Sequence, residues 1–211
     1  MFLDELPEFN RPTLEALRQP LENGCVTISR VNAHTVYPAK FQLVAAMNPC
    51  RCGYLGNHDA ECSRAPLCAE EYQNKISGPL LDRIDIHIEV PAVSPWDLAD
   101  VKQGESSAQI LQRVMKARQI QADRFKALGV PQFKTNSELK GDLLEQIAGL
   151  DNDAQTLLVA FADKNHLSAR AYHRTLRLAR TIADLQNCTK ILKLHIAEAL
   201  SYRRTMPLKR I

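Results

Sequence analysis

Two adjacent carboxylates near the start of the chain are the first residues whose type and spacing could do chemistry. Asp4 and Glu5 follow the short apolar run Met1 to Leu3, and the chain turns at Pro7. At the end of a strand, one such carboxylate can hold a hydrated Mg²⁺ while the other orients or deprotonates a water molecule. Hydrolysis of a phosphoanhydride needs both. The alternative is a strand that runs into an acidic turn, because short motifs recur by chance.

Three further polar residues could complete such a site. Asn48 follows the apolar run Phe41 to Ala46, which is typical of a central parallel strand whose end reaches a ligand crevice. Arg83 lies in a turn, and Arg170 opens a late helical segment. Positive groups near developing phosphate charge are a main source of rate in phosphoryl transfer. For either arginine alone, a surface salt bridge is the competing interpretation.

The sequence does not contain the glycine-rich cradle that binds phosphates in many nucleotide hydrolases. A P-loop reads G-x-x-x-x-G-K-[S/T], and none of the eight glycines is followed by lysine. We therefore expect the cradle for the β- and γ-phosphates to lie upstream of Met1. We also expect the isolated chain to bind ATP poorly and not to hydrolyse it.

Four of the six cysteines lie close together in one polar segment and form a candidate metal site. Their spacing is C-x-C-x9-C-x5-C, and they are Cys50, Cys52, Cys62 and Cys68. Four thiolates in one short loop can form a structural Zn²⁺ site. The binding energy of the ion then stabilises a loop that is too polar to form a hydrophobic core of its own. Free or reactive thiols are the competing interpretation. Cys25 and Cys188 are expected to be buried thiols.

The elements that must position these residues alternate between helix and strand in the first part of the chain. Residues 10–24 predict a short amphipathic helix with Asn10 as its N-cap and a bend at Pro20. Two β-rich runs around VNAH then predict a hairpin, whose exposed tip could contact DNA or only water. The alternating apolar residues of segment 84–90 predict a further strand.

From Ser106 onward the apolar periodicity is helical. The first helix carries one apolar stripe, made of Ile110, Val114, Ala117, Phe125 and Leu128, with Gln121 in the same register. Residues 128–141 gather Gly, Pro and Asn, which predicts a domain boundary. The helical patterns near 142–165, 168–185 and 191–202 then predict a small bundle.

The helix over residues 168–185 divides its charged and apolar residues between two faces. One side carries Arg170, His173, Arg174, Arg177 and Arg180. A basic stripe of this kind usually faces solvent, so a solvated face is the prediction. Contact with nucleotide or DNA phosphates is the alternative.

Composition excludes several classes of protein. Of the 211 residues, 45% are hydrophobic and 24% are charged, as in ordinary globular proteins, and the apolar runs are too short for a membrane span. The net charge of +3 is too small to argue for nucleic-acid binding by itself. Without a signal peptide, a cytoplasmic location with no membrane partner is expected.

Four segments resemble, in order, signature blocks of the Mg-chelatase-like AAA+ ATPases, and more narrowly of the ComM/YifB family. They are MFLDELPEFNRPTLEALRQPLENGCVTISR, FQLVAAMNPCRCGYLG, SGPLLDRIDIHIEVP and LSARAYHRTLRLARTIADL. The resemblance implies an α/β fold: a partial AAA+ P-loop NTPase core with the second half of its parallel sheet, followed by an all-α C-terminal lid bundle. It implies an ATPase core at 1–130 with a cysteine-rich insertion at 49–72, and a helical lid at 131–211.

The same resemblance implies a role for each candidate residue. Asp4 and Glu5 match the Walker B acids, the metal holder and the water activator, and Asn48 matches the sensor 1 residue. Arg83 in LLDRID matches the arginine finger, which acts on the nucleotide of the neighbouring subunit. Arg170 in SAR matches the sensor 2 arginine that reports on the γ-phosphate.

The cysteines depart from the family pattern. Many members place a second C-x-C where this chain has Cys62 and Arg64, which leaves either Cys68 or His58 as the fourth zinc ligand. Some relatives lack these cysteines, which implies that the loop is not catalytic.

The resemblance implies ATP and Mg²⁺ as cofactors, a hexameric ring, and DNA as the partner of the full-length protein. The expected task is ATP-driven branch migration of DNA during natural transformation. A magnesium chelatase ATPase subunit is the alternative, although the cysteine loop favours the first assignment. A catalytically inactive interaction module is the third possibility.

Overall fold

An α/β unit and a helical unit make up this chain. The computed structural model describes residues 1–30, 33–53, 55, 64–91, 93 and 104–203, so two candidate metal ligands, Cys62 and His58, lie outside the described residues. Contacts divide the chain into Met1–Ile84 and Asp85–Ile211. Within the described ranges, no helix has the length and apolarity needed to cross a membrane.

The first unit contains two small sheets. Its strands are β1 (Phe2–Leu3), β2 (Cys25–Arg30), β3 (Ala33–Pro38) and β4 (Val44–Ala45). β1 pairs in parallel with β4, with Phe2 opposite Val44. β2 and β3 form the predicted antiparallel hairpin, and its described side chains beyond Val26 are exposed, His34 and Tyr37 among them.

The predicted parallel strand is shorter than the apolar run that suggested it. Only Val44 and Ala45 are in regular strand geometry, and their β1 partner is equally short. One face of this pair is open, since Phe2 is 64% exposed and Val44 is 51% exposed. The other face covers a core cluster, made of Leu6, Leu14, Ile76, Leu80 and Leu81.

Residues 10–24 form two short helices instead of one bent helix. α1 spans Arg11–Ala16 and α2 spans Arg18–Asn23. Asn10 caps α1 by accepting a hydrogen bond from the Thr13 N–H at 2.9 Å, as predicted. The break falls at Leu17, because Pro20 lacks an N–H and its ring crowds the carbonyl four residues earlier.

The last elements of the first unit follow the cysteine-rich segment. They are α3 (Leu67–Gln73) and α4 (Gly78–Leu81). Ser77 caps α4, since its side chain accepts a hydrogen bond from the Leu80 N–H at 3.3 Å. Arg83 lies two residues after the end of this short helix.

The predicted strand over residues 84–90 is wrong. The chain there has no regular structure, and Val90 is 83% exposed. The His87 N–H donates to the Tyr202 carbonyl at 2.8 Å, with no strand alongside among the described residues. Apolar alternation suits a strand only when a neighbouring strand can pair with it.

The second unit is helical, as the periodicity predicts. Its helices are α5 (Ser107–Ala127), α6 (Gly141–Ala148), α7 (Asn152–Lys164), α8 (Ala169–Leu185) and α9 (Lys193–Ser201). Side chains of Ser106, Asp151 and Ser168 cap three of them. One apolar cluster joins all five helices, and Phe125, Leu158, Leu176 and Ile196 are among its fully buried members.

Helix α5 belongs to this helical unit, so the contact boundary lies at Ile84 and not within the predicted segment 128–141. The reason is Phe125, which is completely buried in the core of the bundle. The predicted apolar stripe of α5 is only half buried. Ala117, Gln121 and Phe125 are covered, whereas Ile110, Val114 and Leu128 are about two-fifths exposed.

Candidate functional site

Three of the predicted site residues lie at one edge of the parallel strand pair. Asp4 and Glu5 directly follow β1, and Asn48 follows β4 by three residues. The Ala46 N–H donates to the Leu3 carbonyl at 2.9 Å, so the two strand ends stay side by side. The carboxyl ends of parallel strands are where open α/β sheets bind their ligands.

The backbone turns sharply at this edge. Glu5 has a left-handed conformation, with φ of 49° and ψ of 47°. Its N–H donates to the Asp4 Oδ1 at 2.9 Å, and the next N–H, of Leu6, donates to the Ala46 carbonyl at 3.0 Å. A residue with a side chain adopts this conformation at a cost of roughly 1–2 kcal/mol, and such strain is concentrated at functional sites.

The donor set at this edge fits Mg²⁺. Asp4, Glu5 and Asn48 are all exposed, and neither carboxylate forms an ion pair in the described part of the chain. Carboxylate and amide oxygens, together with water, are the ligands that Mg²⁺ takes in proteins. Asp4 would hold such an ion, and the ion would supply positive charge next to a phosphate.

Arg83 is held within its own unit. Its guanidinium forms an ion pair with Glu22, the penultimate residue of α2, and its Nη1 donates to the Pro79 carbonyl at 2.6 Å. Only 9% of the Arg83 side chain is exposed, against 31% for Glu22. An arginine so placed is oriented by its partner and is not a loose surface cation.

Arg170 lies in the second unit and is exposed. It is the second residue of α8, two residues after the cap Ser168. The structure therefore brings Asp4, Glu5 and Asn48 to one edge, puts Arg83 in the same unit, and puts Arg170 in the other unit.

The basic stripe of α8 is only partly exposed to solvent, so the prediction of a solvated face is wrong for Arg174 and Arg180. Arg174 is buried and its Nη1 lies 2.5 Å from the Asp85 carboxylate. Arg180 is fully buried, and it donates to the carbonyls of Ala148, Cys188 and Thr189. These two arginines serve the fold of the helical unit.

Asp184 is the centre of a buried polar network that the sequence did not indicate. Its side chain is fully buried and accepts hydrogen bonds from Arg124, Arg180 and Asn136. Burial lowers the pKa of the Arg180 guanidinium, and the nearby Asp184 carboxylate opposes this change. The four-residue spacing of Arg180 and Asp184 on one helix was the available signal.

Three of the four candidate metal-binding cysteines come together in the first unit. The Sγ atoms of Cys50, Cys52 and Cys68 all lie within 4.8 Å of one another. Cys50 is fully buried, Cys68 is half-buried and Cys52 is exposed. Cys25 and Cys188, which were expected to be buried, are half-buried.

The surroundings of Cys50 favour its thiolate form. Burial acts to raise the pKa of this thiol, but hydrogen bonds from the Cys52 thiol and from the backbone N–H groups of Leu55, Gly53 and Cys52 outweigh burial. The net effect is a pKa below the ordinary value of a cysteine. The thiolate is the form that binds a metal.

Comparison with known proteins gives two family matches in chain order. Residues 1–98 match the model described as magnesium chelatase, subunit ChlI, and residues 104–203 match the model described as magnesium chelatase, subunit ChlI C-terminal. The two models meet between Ile84 and α5, so each corresponds broadly to one compact unit.

Curated relatives match almost the whole chain. Competence protein ComM of Haemophilus influenzae is 46% identical over 205 residues, which cover 96% of this chain and 38% of the relative. Uncharacterized protein YifB of Escherichia coli is 45% identical with the same coverage. An uncharacterised protein of Mycobacterium tuberculosis is 40% identical over 97% of this chain and 40% of its own length.

The chain thus spans about two-fifths of the length of the curated relatives it matches. The two family models together account for nearly all of its described residues. This chain belongs to the Mg-chelatase-like family that includes ComM and YifB.

Proposed function

We propose that this chain forms the second half of an AAA+ ATPase core and its helical lid, as part of a protein that hydrolyses ATP. The observation that carries the proposal is the arrangement of Asp4, Glu5 and Asn48 at the ends of paired parallel strands. Membership of the Mg-chelatase-like family supports the use of nucleotide and Mg²⁺.

In this proposal the two carboxylates have different tasks. Asp4 would hold Mg²⁺ through coordinated water, and the bound ion would supply positive charge beside the phosphates. Glu5 orients the attacking water and accepts its proton. The amide of Asn48, at the end of the neighbouring strand, aligns the same water molecule. The exposure of all three side chains supports this division, because water and phosphate can reach them.

The two arginines supply positive charge to the transferred phosphate. We assign Arg83 to the nucleotide of a neighbouring subunit in a homo-hexameric ring, and Arg170 to the γ-phosphate as a sensor. Glu22 competes with phosphate for the Arg83 guanidinium, so this ion pair must open when the finger acts. The exposed position of Arg170 near the start of α8 supports a role as a contact residue.

We assign DNA as the partner of the complete protein, with ATP-driven branch migration in natural transformation as its task. The similarity to a relative named competence protein supports this assignment. A cytoplasmic location accords with it.

An ATPase subunit of magnesium chelatase is the second candidate. The descriptions of both matching family models favour it. The third candidate, an interaction module without catalysis, predicts no ATP turnover in any context.

A chimeric protein separates these three candidates. This chain replaces the matching 205-residue segment of the Haemophilus relative, which supplies the remaining sequence. The proposal predicts Mg²⁺-dependent ATP hydrolysis that branched DNA stimulates and that Asp4→Asn reduces at least about a hundredfold. Hydrolysis that branched DNA does not stimulate favours the chelatase candidate, and absence of turnover in a folded chimera contradicts the ATPase proposal.

A further inference from the structure

We propose that Cys50, Cys52 and Cys68 bind one zinc ion, and that this ion fastens the segment after Asn48 to the first turn of α3. The metal site does not depend on the proposed ATPase function. Only its consequence for Asn48 rests on that function.

The distances suit a tetrahedral thiolate centre. Thiolates bound about 2.3 Å from a tetrahedral Zn²⁺ lie roughly 3.8 Å from each other. The Cys50 and Cys52 sulfurs are 3.2 Å apart, and all three sulfurs lie within 4.8 Å of one another. The three sulfurs are therefore about as far apart as the thiolates of one tetrahedral site.

The backbone around Cys50 is arranged to receive a charged sulfur. The Gly53 N–H donates to the Cys50 carbonyl at 3.1 Å, and Gly53 has a positive φ of 79°, which a residue with a side chain rarely adopts, so the chain makes a tight turn directly after Cys50. Hydrogen bonding by the backbone N–H groups of this turn acts to lower the pKa of the Cys50 thiol. Hydrogen bonds of this kind orient a metal ligand and stabilise its negative charge.

The three cysteines lie on two different segments, so one bound ion would connect them. Cys68 is the second residue of α3, whereas Cys50 lies only two residues after Asn48. Gln73, the last residue of α3, donates through its Nε2 to the Pro49 carbonyl at 2.7 Å. A bound ion would thus tie the start of α3 to the same short segment that Gln73 ties to its end.

The anchoring helix is itself well packed. α3 buries Ala69 and Tyr72 in the first unit, and Ile76, just beyond its end, belongs to the core cluster. The segment 49–53, by contrast, is largely exposed apart from Cys50. A zinc ion would link this segment to the packed helix α3. It would thereby restrict the motion of the segment and of the adjacent Asn48.

Metal analysis tests the site in this chain directly. Protein purified under reducing conditions without chelator should carry about one zinc per chain. Cys50→Ser, Cys52→Ser and Cys68→Ser should each weaken zinc affinity at least about tenfold, since even the loss of a group behind the ligands has that effect. Cys25→Ser and Cys188→Ser, which alter cysteines outside the cluster, are the matched controls and should keep the metal.

Cobalt substitution identifies the ligands. The thiolate-to-Co²⁺ absorption should fall in each of the three cluster variants and remain in both controls. A lower thiolate-to-Co²⁺ absorption in Cys62→Ser would identify Cys62 as a fourth thiolate ligand. A changed Co²⁺ spectrum in His58→Ala would identify His58 as a nitrogen ligand. Absence of both zinc and cobalt binding by fully reduced protein, or a disulfide between Cys50 and Cys52 that persists in excess reductant, overturns the site.

Trypsin cleavage after Arg51 tests the fastening, because this exposed residue lies between two proposed ligands. Removal of zinc, followed by removal of the chelator, should speed this cleavage at least about tenfold and should speed amide exchange over 48–53 and α3. Exchange in α8, in the other unit, should not change. Full zinc occupancy with unchanged cleavage and exchange after metal removal overturns the fastening but leaves the site. Neither measurement uses ATP, so failure here is distinct from failure of the ATPase proposal.

Discussion

The guanidinium of Arg83 is paired with the carboxylate of Glu22, and only 9% of the Arg83 side chain is exposed. The residue that resembles an arginine finger is therefore oriented by α2 of its own unit, 61 residues earlier in the chain. This pairing makes Glu22 a positioning residue for any action of Arg83 on a phosphate.

Glu22→Gln should destabilise the first unit by about 1–2 kcal/mol, because it leaves a largely buried guanidinium without its counter-charge. Urea unfolding followed by amide exchange in α2 and α4 measures the loss. Glu8→Gln is the control, since the Glu8–Lys75 pair is more than two-fifths exposed on both sides and should contribute little. Equal effects of the two substitutions would show that the Arg83 pair has no special role.

Asp184→Asn should destabilise the helical unit by about 3–5 kcal/mol, because Arg180 is fully buried and would lose its counter-charge. Urea denaturation followed by circular dichroism measures the change in the free energy of unfolding. Asp163→Asn, at an exposed position of α7, should change it by less than about 0.5 kcal/mol. A loss below about 1 kcal/mol for Asp184→Asn would contradict the account of the buried network.

The helical unit should lose stability as pH falls below 6.5. Burial, reinforced by the charge of Arg180, lowers the pKa of His195 from its ordinary value of 6.5. Its Nδ1 accepts a hydrogen bond from the Leu192 N–H at 2.9 Å, which requires the neutral ring. The unfolded chain then binds more protons than the folded chain, so the stabilisation is complete above pH 6.5 and is lost as pH falls toward the folded-state pKa.

Denaturation midpoints between pH 7.5 and pH 5 measure this dependence. His195→Gln should flatten the slope, whereas His166→Asn, at an exposed position with a φ of 49° that asparagine tolerates, should preserve it. An unchanged slope in His195→Gln would assign the pH dependence to other groups.

Glu5→Gly should leave the first unit more stable than Glu5→Ala by about 1 kcal/mol. Glycine adopts the left-handed conformation of this position without strain, and alanine does not. Urea denaturation of the two variants measures the difference. Equal stability would show that the turn after β1 relaxes when the glutamate side chain is removed.

Local signals in the sequence predicted the local structure well. The cap at Asn10, the hairpin, and the helices of the second unit are confirmed, because each depends on residues close together in the chain. Segment 84–90 shows the limit of such signals, since alternation alone does not provide a partner strand.

The polar partners of the arginines could not be predicted from local patterns. Glu22 and Arg83 are 61 residues apart, and Arg124 and Asp184 are 60 residues apart. A helical wheel cannot distinguish an arginine that faces water from one that meets a carboxylate of another element. The stripe of α8 was therefore predicted to be solvated, although Arg174 and Arg180 are buried.

The sequence predicted that these cysteines would cluster, because they lie close together in the chain. Their sulfurs lie within 4.8 Å of one another, as a metal site requires. The roles of Asp4, Glu5, Asn48, Arg83 and Arg170 in nucleotide hydrolysis stay predictions, which activity measurements must test.

The most direct test of the central claim is the turnover of ATP by the chimera that carries Glu5→Gln. The account predicts that kcat falls at least about a hundredfold, because the water loses its base, while the affinity for ATP changes less than about twofold. Glu8→Gln, which alters an exposed acid three residues away, should keep full turnover. Equal turnover by the Glu5→Gln and unsubstituted chimeras would contradict the assignment of Glu5 as the residue that activates water.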